Sequence, residues 1–174
     1  MTVRETAGGG AAARETLAQL AGLNVVKGHG TGNDFVVVPD PDARHDLPPD
    51  QVRALCDRRF GLGADGVLRA VPTAQVAEVA EQAGQAAWFM DYRNADGSVA
   101  EMCGNGARVF ARYLLDAAVV EGPSFAIATR GGVVSVRWED DGDISIGMGR
   151  ATTPMLRAMP VVQVGERSWH GSGV

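Results

Sequence analysis

The chain has 174 residues, with 16 Lys and Arg against 21 Asp and Glu, so its formal net charge is −5. Apolar residues make up 45% and charged residues 21%, which is ordinary globular usage and excludes a fibrous or wholly disordered chain. The acidic balance without a basic stripe disfavours nucleic-acid binding. The apolar runs are far shorter than the roughly 20 residues that span a bilayer. We therefore expect a small-molecule partner, with no nucleic acid and no membrane.

The amino terminus (MTVRETAGGGAAARETLAQL) lacks the continuous apolar segment of a secretory signal. The only cysteines, Cys56 and Cys103, stand in very different contexts, so a disulfide is not expected. The three histidines are far apart and lack partners at ligand spacing. The sequence therefore predicts a cytoplasmic protein with two free thiols and no metal site.

The first half of the chain opens with a low-complexity extension and then alternates strands with one helix. Residues 1–22 are rich in Ala, Gly and Thr and resemble a linker, with a short helix expected over 14–20. A strand, a glycine-rich loop and a second strand are predicted between residues 23 and 38. Pro48-Pro49-Asp50 begins a helical pattern that continues to Phe60 and ends at Gly61. A strand over 66–71 and a surface helix or long excursion over 73–84 follow.

The second half contains the clearest helix of the sequence. Apolar residues between 104 and 118 recur at i, i+3, i+4 and i+7 and cover nearly the whole circumference, so we expect a sheet to wrap this helix. Before it, residues 87–93 are predicted as a strand and 94–98 as a turn. After it, an antiparallel meander and one further hairpin are predicted, with strands at 124–130, 133–139 and 144–148 and the hairpin at 161–169.

One glycine-rich loop invites a nucleotide-binding interpretation. Residues 61–66 (GLGADG) match G-x-G-x-x-G, but a dinucleotide loop must follow a strand and open a helix. Here the loop follows a helix and feeds a strand. The pattern favours a helix stop and a turn.

The strongest chemical signal lies at the start of the clearest helix. Cys103 directly precedes it, where unpaired backbone N–H groups and the helix dipole favour an anion. We therefore expect the Cys103 thiolate to be stabilised, and the amides of Gly104 and Asn105 to be able to grip a carboxylate. The alternative for a lone cysteine is simple packing at a helix start. That alternative is favoured for Cys56, which has no flanking glycines.

Two asparagines on turns could complete an amino-acid site. The side-chain amides of Asn33 and Asn94 can each donate to a carboxylate and accept from an ammonium, as a zwitterionic amino acid requires. The alternative is that both residues merely tolerate left-handed turn geometry. The residues alone leave the two interpretations open.

Four motifs stand in the order found in diaminopimelate epimerases, and the resemblance covers about residues 23–149. It is similar to the amino-terminal half of that family. The motifs are residues 29–35 (HGTGNDF), 59–66 (RFGLGADG), 94–98 (NADGS) and 102–108 (MCGNGAR).

The resemblance implies an α+β fold, in which a largely antiparallel sheet is rolled around a central helix as one of two similar domains. It implies an enzyme that converts LL-diaminopimelate to the meso form, for lysine and peptidoglycan precursors, with no cofactor and no metal. In the family one thiolate removes the α-proton and a second thiol reprotonates the opposite face. By resemblance Cys103 is the first of that pair, Asn33 and Asn94 bind the substrate, and Gly104 and Asn105 hold the α-carboxylate.

The sequence departs from the family pattern in three places. Some members carry a substrate-contacting Gln where Gly66 stands, so no contact is carried over to that position. Residues 1–22 have no family counterpart. The second half, with its own cysteine motif, is missing, and the second acid or base is therefore unidentified.

These observations predict three regions: the extension at 1–22, an epimerase amino-terminal domain at 23–150, and the beginning of a second-domain region at 151–174. A sheet edge could stay open, a homodimer could form, and this chain alone is expected to be inactive. Rival isomerases of the same fold are disfavoured. A proline-racemase-like enzyme typically has His where Asn105 stands, and a phenazine-biosynthesis-like enzyme lacks the cysteine. A non-catalytic amino-acid-binding half domain, or a truncated gene product retaining half a site, remains as the alternative from another class.

Overall fold

A computed structural model of the chain describes residues 8–149 and 161–170. Three helices and nine strands are present there, with two short 3₁₀ turns, Thr73–Gln75 and Ala77–Gln82, between the third and fourth strands. The helices are α1 (Gly8–Gln19), α2 (Pro49–Cys56) and α3 (Gly104–Asp116). The strands are β1 (Val26–Gly30), β2 (Asn33–Pro39), β3 (Gly66–Pro72), β4 (Trp88–Asn94), β5 (Ser124–Thr129), β6 (Gly132–Trp138), β7 (Ile144–Gly147), β8 (Val161–Val164) and β9 (Arg167–His170).

Strands β1 to β7 form one sheet in sequence order, and β8 pairs with β9 in a separate hairpin. The β2–β3 and β4–β5 pairs are parallel, while the other pairs are antiparallel. The predicted α+β fold, with a largely antiparallel sheet around a central helix, is confirmed, and four of the six pairs in the sheet are antiparallel. Each parallel pair encloses a helix, because a parallel connection must cross from one end of the sheet to the other.

The two crossover helices lie on opposite faces of the sheet. Alternate residues of β2 show this, since Phe35 and Val37 pack with α3 while Val36 and Val38 pack with α2. Crossovers between parallel strands are right-handed in nearly all proteins, and β3 and β4 run in opposite directions. The reversal therefore sends α3 to the face opposite α2. Because both faces of β2 are covered, its core reads as a continuous apolar run.

Helix α3 is the centre of the larger core. Its buried residues pack against the concave face of the sheet, and Arg112 and Asp116 form an i,i+4 ion pair on its exposed stripe at 2.9 Å. The wrapped helix predicted from the sequence is confirmed. The buried α3 residues are Gly106, Ala107, Val109, Phe110, Ala111 and Leu114.

The amino-terminal extension contributes a helix. Helix α1 begins at Gly8 and so includes the glycine triplet that resembles a linker, extending the short helix expected over 14–20. Leu17 and Leu20 pack against the core cluster beneath α2, and this burial outweighs the poor helix propensity of glycine. Residues 1–7 of the predicted extension lie outside the described residues, as do 150–160 and 171–174.

Helix α2 is shorter than predicted. It ends at Cys56 rather than continuing to Phe60, because Asp57 is extended and its side chain accepts hydrogen bonds from the amides of Arg59 and Phe60 at 2.7 and 2.8 Å. Asp thereby offers the backbone a turn in place of another helical turn. Cys56 is the last helical residue, not a mid-helix one.

Buried charges cross the middle of the sheet on the α2 face. Arg69 of β3 contacts Asp40 at 2.7 Å and Asp91 of β4 at 3.4 Å, and Asp91 also meets Arg93 at 2.9 Å. Burial by itself would raise the pKa of Asp91, but the hydrogen bond and charge of Arg93, together with nearby Arg130, hold that pKa below the usual range.

Within the described residues, no helix has the length and apolar character needed to cross a bilayer.

Candidate active site

Cys103 caps the amino terminus of α3. Its backbone is extended (φ −141°, ψ 119°), and its Sγ accepts a hydrogen bond from the Gly106 N–H at 3.4 Å. In the described part of the chain, the N–H groups of Gly104 and Asn105 have no acceptor. The thiol is half-buried at the edge of the α3 core. A sulfur and two open amide donors therefore share one helix end, which suits a negatively charged ligand.

A hydrogen bond between two asparagines joins this helix end to the sheet. Asn105 donates its Nδ2 hydrogen to Asn33 Oδ1 at 2.7 Å, and Asn33 Nδ2 donates to Asp65 Oδ2 at 3.0 Å. Asn33 is the first residue of β2. The contact brings together two of the predicted binding residues, which are 72 positions apart in the sequence.

Asn94 lies at the same end of the sheet. It is the last residue of β4 and pairs with Gly66 of β3, which in turn pairs with Phe35 of β2. Two strand spacings separate β2 from β4 and Asn33 lies two residues along β2 from Phe35, so the Asn33 and Asn94 backbones are about 12 Å apart. The side chain of Asn94 accepts from the Tyr92 hydroxyl at 2.7 Å and donates to Ser98 Oγ at 3.0 Å. The 94–98 turn predicted from the sequence is present.

An ion cluster of Lys27, Asp34, Arg58 and Asp65 contacts Asn33 through the Asp65 carboxylate. Arg58 contacts Asp34 at 2.6 Å and Asp65 at 2.8 Å, and Lys27 contacts Asp34 at 2.8 Å. The hydrogen bond from Arg58, followed by that from Lys27, holds the pKa of Asp34 well below its usual range. The hydrogen bond from Asn33, followed by the Asp34 amide, lowers the pKa of Asp65. Both carboxylates are therefore charged at neutral pH.

Sequence reasoning missed this cluster. Asp34 and Asp65 stand inside two of the four motifs, directly after Asn33 and within the glycine loop. Acidic residues beside a candidate binding amide were the available signal. Their common partner Arg58 lies just beyond α2, and only the folded chain brings it to them.

Glycine in β1 allows α3 to approach the sheet closely. A Cβ atom at Gly30 would lie 2.8 Å from the carbonyl oxygen of Asn105 and 3.2 Å from the Val109 side chain. The first turn of α3 therefore rests directly on the backbone of β1. This close approach explains Gly30 of the HGTGNDF segment by packing and places Asn105 against Asn33.

Cys56 lies on the other face of the sheet in the α2 core, only 5% exposed. Burial raises the pKa of its thiol to about 11. Cys56 and Cys103 are both free thiols, as predicted. The structure therefore places only Cys103 where a thiol can meet a ligand.

The candidate residues form an open surface at the edge of the sheet where β2 and β3 begin and β4 ends. A groove of about 660 Å³ elsewhere is lined by residues of β5, β6 and β7 and by none of the candidates. Among the described residues, no group of three or more His, Cys, Asp or Glu side chains could hold a metal ion. The arrangement offers a thiol for proton transfer, two backbone donors for a carboxylate and two side-chain amides for further polar groups.

The glycine loop at 61–66 follows α2 and leads into β3, as expected for a helix stop and a turn. Its amides bond back onto α2, with Leu62 N–H donating to the Leu55 carbonyl at 3.0 Å and Ala64 N–H donating to that of Cys56 at 3.1 Å. A nucleotide phosphate would find these donors occupied. The loop instead presents Asp65 to Asn33.

Comparison with solved structures supports the fold. A hydroxyproline epimerase from Agrobacterium vitis, with bound trans-4-hydroxy-L-proline, superposes with a TM-score of 0.53 at 15% sequence identity. The superposition covers 80% of this chain and 44% of that chain. At this identity the likeness concerns the fold alone.

Comparison of sequences identifies the family. Residues 25–154 match the family model described as diaminopimelate epimerase. A diaminopimelate epimerase from Streptomyces coelicolor is 57% identical over 149 residues, which cover 86% of this chain and 51% of the relative. One from Thermobifida fusca is 57% identical over 131 residues, covering 73% of this chain and 48% of the relative. The chain thus spans about half the length of these relatives, and it belongs to the diaminopimelate epimerase family.

Proposed function

We propose that this chain supplies the Cys103-bearing half of a diaminopimelate epimerase, which converts LL-diaminopimelate to the meso form. The observation that carries the proposal is the arrangement around Cys103, whose Sγ shares the α3 amino terminus with the open amides of Gly104 and Asn105. The Asn105–Asn33 hydrogen bond fixes that helix end against the sheet. The family membership supports the choice of substrate.

The residues divide the reaction between proton transfer and substrate holding. The Cys103 thiolate takes the α-proton, so that an S–H bond forms, the Cα–H bond breaks and its electron pair stays on the substrate. The Gly104 and Asn105 amides hold the α-carboxylate, which shares the developing negative charge, and the helix dipole favours that charge. Asn33 and Asn94 hold further polar groups of the amino acid.

Inversion also needs a proton donor on the opposite face of the substrate. Cys56 does not suit this role, because it is buried with a pKa of about 11 on the far face of the sheet. The sequence contains no third cysteine. We therefore propose that residues 23–150 form one domain, that residues 151–174 lead towards a second domain, and that this second domain supplies the donor thiol.

The test is turnover by a joined protein, in which residues 1–150 precede the C-terminal half of the Streptomyces coelicolor relative. With LL-diaminopimelate in deuterated water, the joined protein is expected to yield meso product with isotope at the α-carbon. Cys103→Ala should lower the rate by about a hundredfold or more, since positioned acid–base groups contribute about 10²- to 10⁴-fold. Cys56→Ala is the matched control and should retain turnover.

The 174-residue chain alone is the second arm of the test. We expect little meso product from it. Substantial product that Cys103→Ala abolishes would contradict the need for a second domain. Binding of diaminopimelate by the joined protein without isotope uptake or product would reject the enzyme and favour a non-catalytic amino-acid-binding half domain.

The proposal extends to the setting of the enzyme. A biosynthetic small-molecule substrate and two free thiols suit a reducing cytoplasm. The seven-stranded sheet ends at β1 and β7, and a homodimer could cover one of these edges. Light scattering on the joined protein measures whether dimers form.

A further inference from the structure

Tyr92 lies beneath the proposed substrate surface and is only 8% exposed. It stands on β4 two residues before Asn94, so both side chains share one face of the strand. Its ring packs edge-on to Phe35, with centroids 6.0 Å apart. The ring also covers the start of β3, because a Cβ atom at Gly66 would lie 2.7 Å from Tyr92 Cε2. Glycine at position 66 thus leaves room for the tyrosine.

The hydroxyl of Tyr92 reaches the end of its own strand. It donates to Asn94 Oδ1 at 2.7 Å, and Asn94 Nδ2 donates one hydrogen to Ser98 Oγ at 3.0 Å. An amide nitrogen carries two hydrogens, so one donor of Asn94 stays available. Burial raises the pKa of Tyr92, and the nearby charge of Cys103 adds to the effect, so the hydroxyl keeps its proton.

We propose that Tyr92 is a positioning residue, whose hydroxyl fixes the Asn94 amide so that its free N–H faces the substrate surface. The proposal rests on the proposed function for the role of Asn94. Without the hydroxyl, the Asn94 side chain keeps only its hydrogen bond to Ser98 Oγ among the described residues, and the exposed Ser98 sits on a turn. The amide would then rotate among several orientations, and a substrate carboxylate would have to order it on binding.

The first experiment observes Asn94 directly in the 174-residue chain. Tyr92→Phe keeps the ring against Phe35 and over Gly66 and removes only the hydroxyl. The probe is the side-chain amide signal of Asn94 in ¹⁵N spectra, assigned by its loss in Asn94→Asp. We expect its order parameter to fall and its chemical shifts to move in Tyr92→Phe. Tyr113→Phe, at the chain's other tyrosine on α3, should leave the signal unchanged. An Asn94 signal that is the same in both variants would overturn the proposal.

The second experiment measures the kinetic consequence in the joined protein. Removing a hydrogen bond that orders a binding group should raise KM for LL-diaminopimelate up to about tenfold and leave kcat nearly unchanged. A general loss of folding would instead lower the melting temperature and the active fraction. Unchanged KM in an active Tyr92→Phe protein would refute the positioning role. If the joined protein with native Tyr92 makes no product, the proposed function fails, and the Asn94 signal still decides the role of Tyr92.

Discussion

The end of α2 and the beginning of α3 each carry a cysteine, and the two helix ends differ in what satisfies their backbone. At the end of α2, the carbonyls of Leu55 and Cys56 accept hydrogen bonds from loop amides at 3.0 and 3.1 Å. At the start of α3, the Gly104 and Asn105 amides have no acceptor among the described residues. One helix end is closed by the chain itself, and the other has donors that the described residues leave open.

The comparison teaches that the chemistry of a cysteine follows from which helix end it occupies and how that end is covered. Cys56 stands where the dipole disfavours an anion and where packing excludes water, so its thiol remains neutral. Cys103 stands at the opposite pole and is half-buried. The reversal of strand direction between β3 and β4 also separates the thiols onto two faces of the sheet.

The largest expected contrast is in thiol reactivity. At pH 8 a thiol with a pKa of about 11 is only about one part in a thousand thiolate, and only the thiolate is alkylated. Iodoacetamide should therefore label Cys103 about a hundredfold or more faster than Cys56, as measured by peptide mapping of the 174-residue chain. In guanidinium the two rates should converge. Equal rates in the folded chain would remove the distinction between the two helix ends.

Alanine substitutions at Gly61 and Gly104 test whether the end of α2 is packed more tightly than the start of α3. A Cβ atom at Gly61 would collide with the carbonyl oxygens of Ala54 and Leu55 at the closed end of α2, whereas one at Gly104 meets Met148 Sδ at 3.4 Å, an ordinary contact. We expect Gly61→Ala to lower the free energy of unfolding by about 3 kcal/mol and Gly104→Ala to change it by less than about 1 kcal/mol. Urea denaturation measures both.

Similar losses in the two variants would show that the start of α3 is as tightly enclosed as the end of α2.

A larger side chain at Gly104 tests binding separately from folding in the joined protein. Under the proposed function, diaminopimelate should raise the melting temperature, and Gly104→Val should suppress that thermal shift while secondary structure persists, because a branched side chain would keep the substrate from the backbone. An unchanged shift in a folded variant would reject the carboxylate-gripping role.

The smallest expected effect concerns Arg58, which connects the two regions through Asp34 and Asp65. The folded-state pKa of Asp34 is lowered, so its contribution to stability is fully present above the unfolded pKa of about 3.9 and is lost progressively as pH falls from there through the lower folded-state pKa. Arg58→Met should therefore be less stable than the parent at pH 7, and the difference should shrink towards pH 3. Urea titrations at pH 7, 5, 4 and 3 measure this.

Arg112→Met is the control for that series, because its ion pair with Asp116 is exposed on α3 and far along the helix from Cys103. It should change stability little at any of these pH values. A difference for Arg58→Met that stays constant between pH 7 and pH 3 would show that the Asp34 contact does not govern the ion cluster.

Local patterns accounted for most of the secondary structure. Helical spacing predicted α3, and the N-A-D-G-S segment predicted the turn at residues 94–98. Paired glycines and aspartates predicted the β5–β7 meander. The early end of α2 was missed because Asp57 turns the backbone with its own side chain. The parallel pairings were missed because strand direction depends on where a helix crosses, which spacing does not record.

The candidate site was predictable only in part. Cys103 and its flanking glycine stand in one segment, so the helix start could be read directly from the sequence. The pairing of Asn33 with Asn105 and the hydroxyl of Tyr92 on Asn94 are products of tertiary contact and strand register. Residues that we propose to position the candidate binding groups were therefore missed more readily than the candidate groups themselves.

The buried ion pair in the middle of the sheet has a consequence for how the chain folds. Arg69 and Asp91 are direct register partners across β3 and β4, and the same register places Gly66 opposite Asn94. A slip by one residue would turn the Asp91 carboxylate towards the apolar core around α3, where an unpaired charge costs several kcal/mol. Misaligned pairings of β3 with β4 are thereby destabilised, and the favoured register is the one that places Asn94 opposite Gly66.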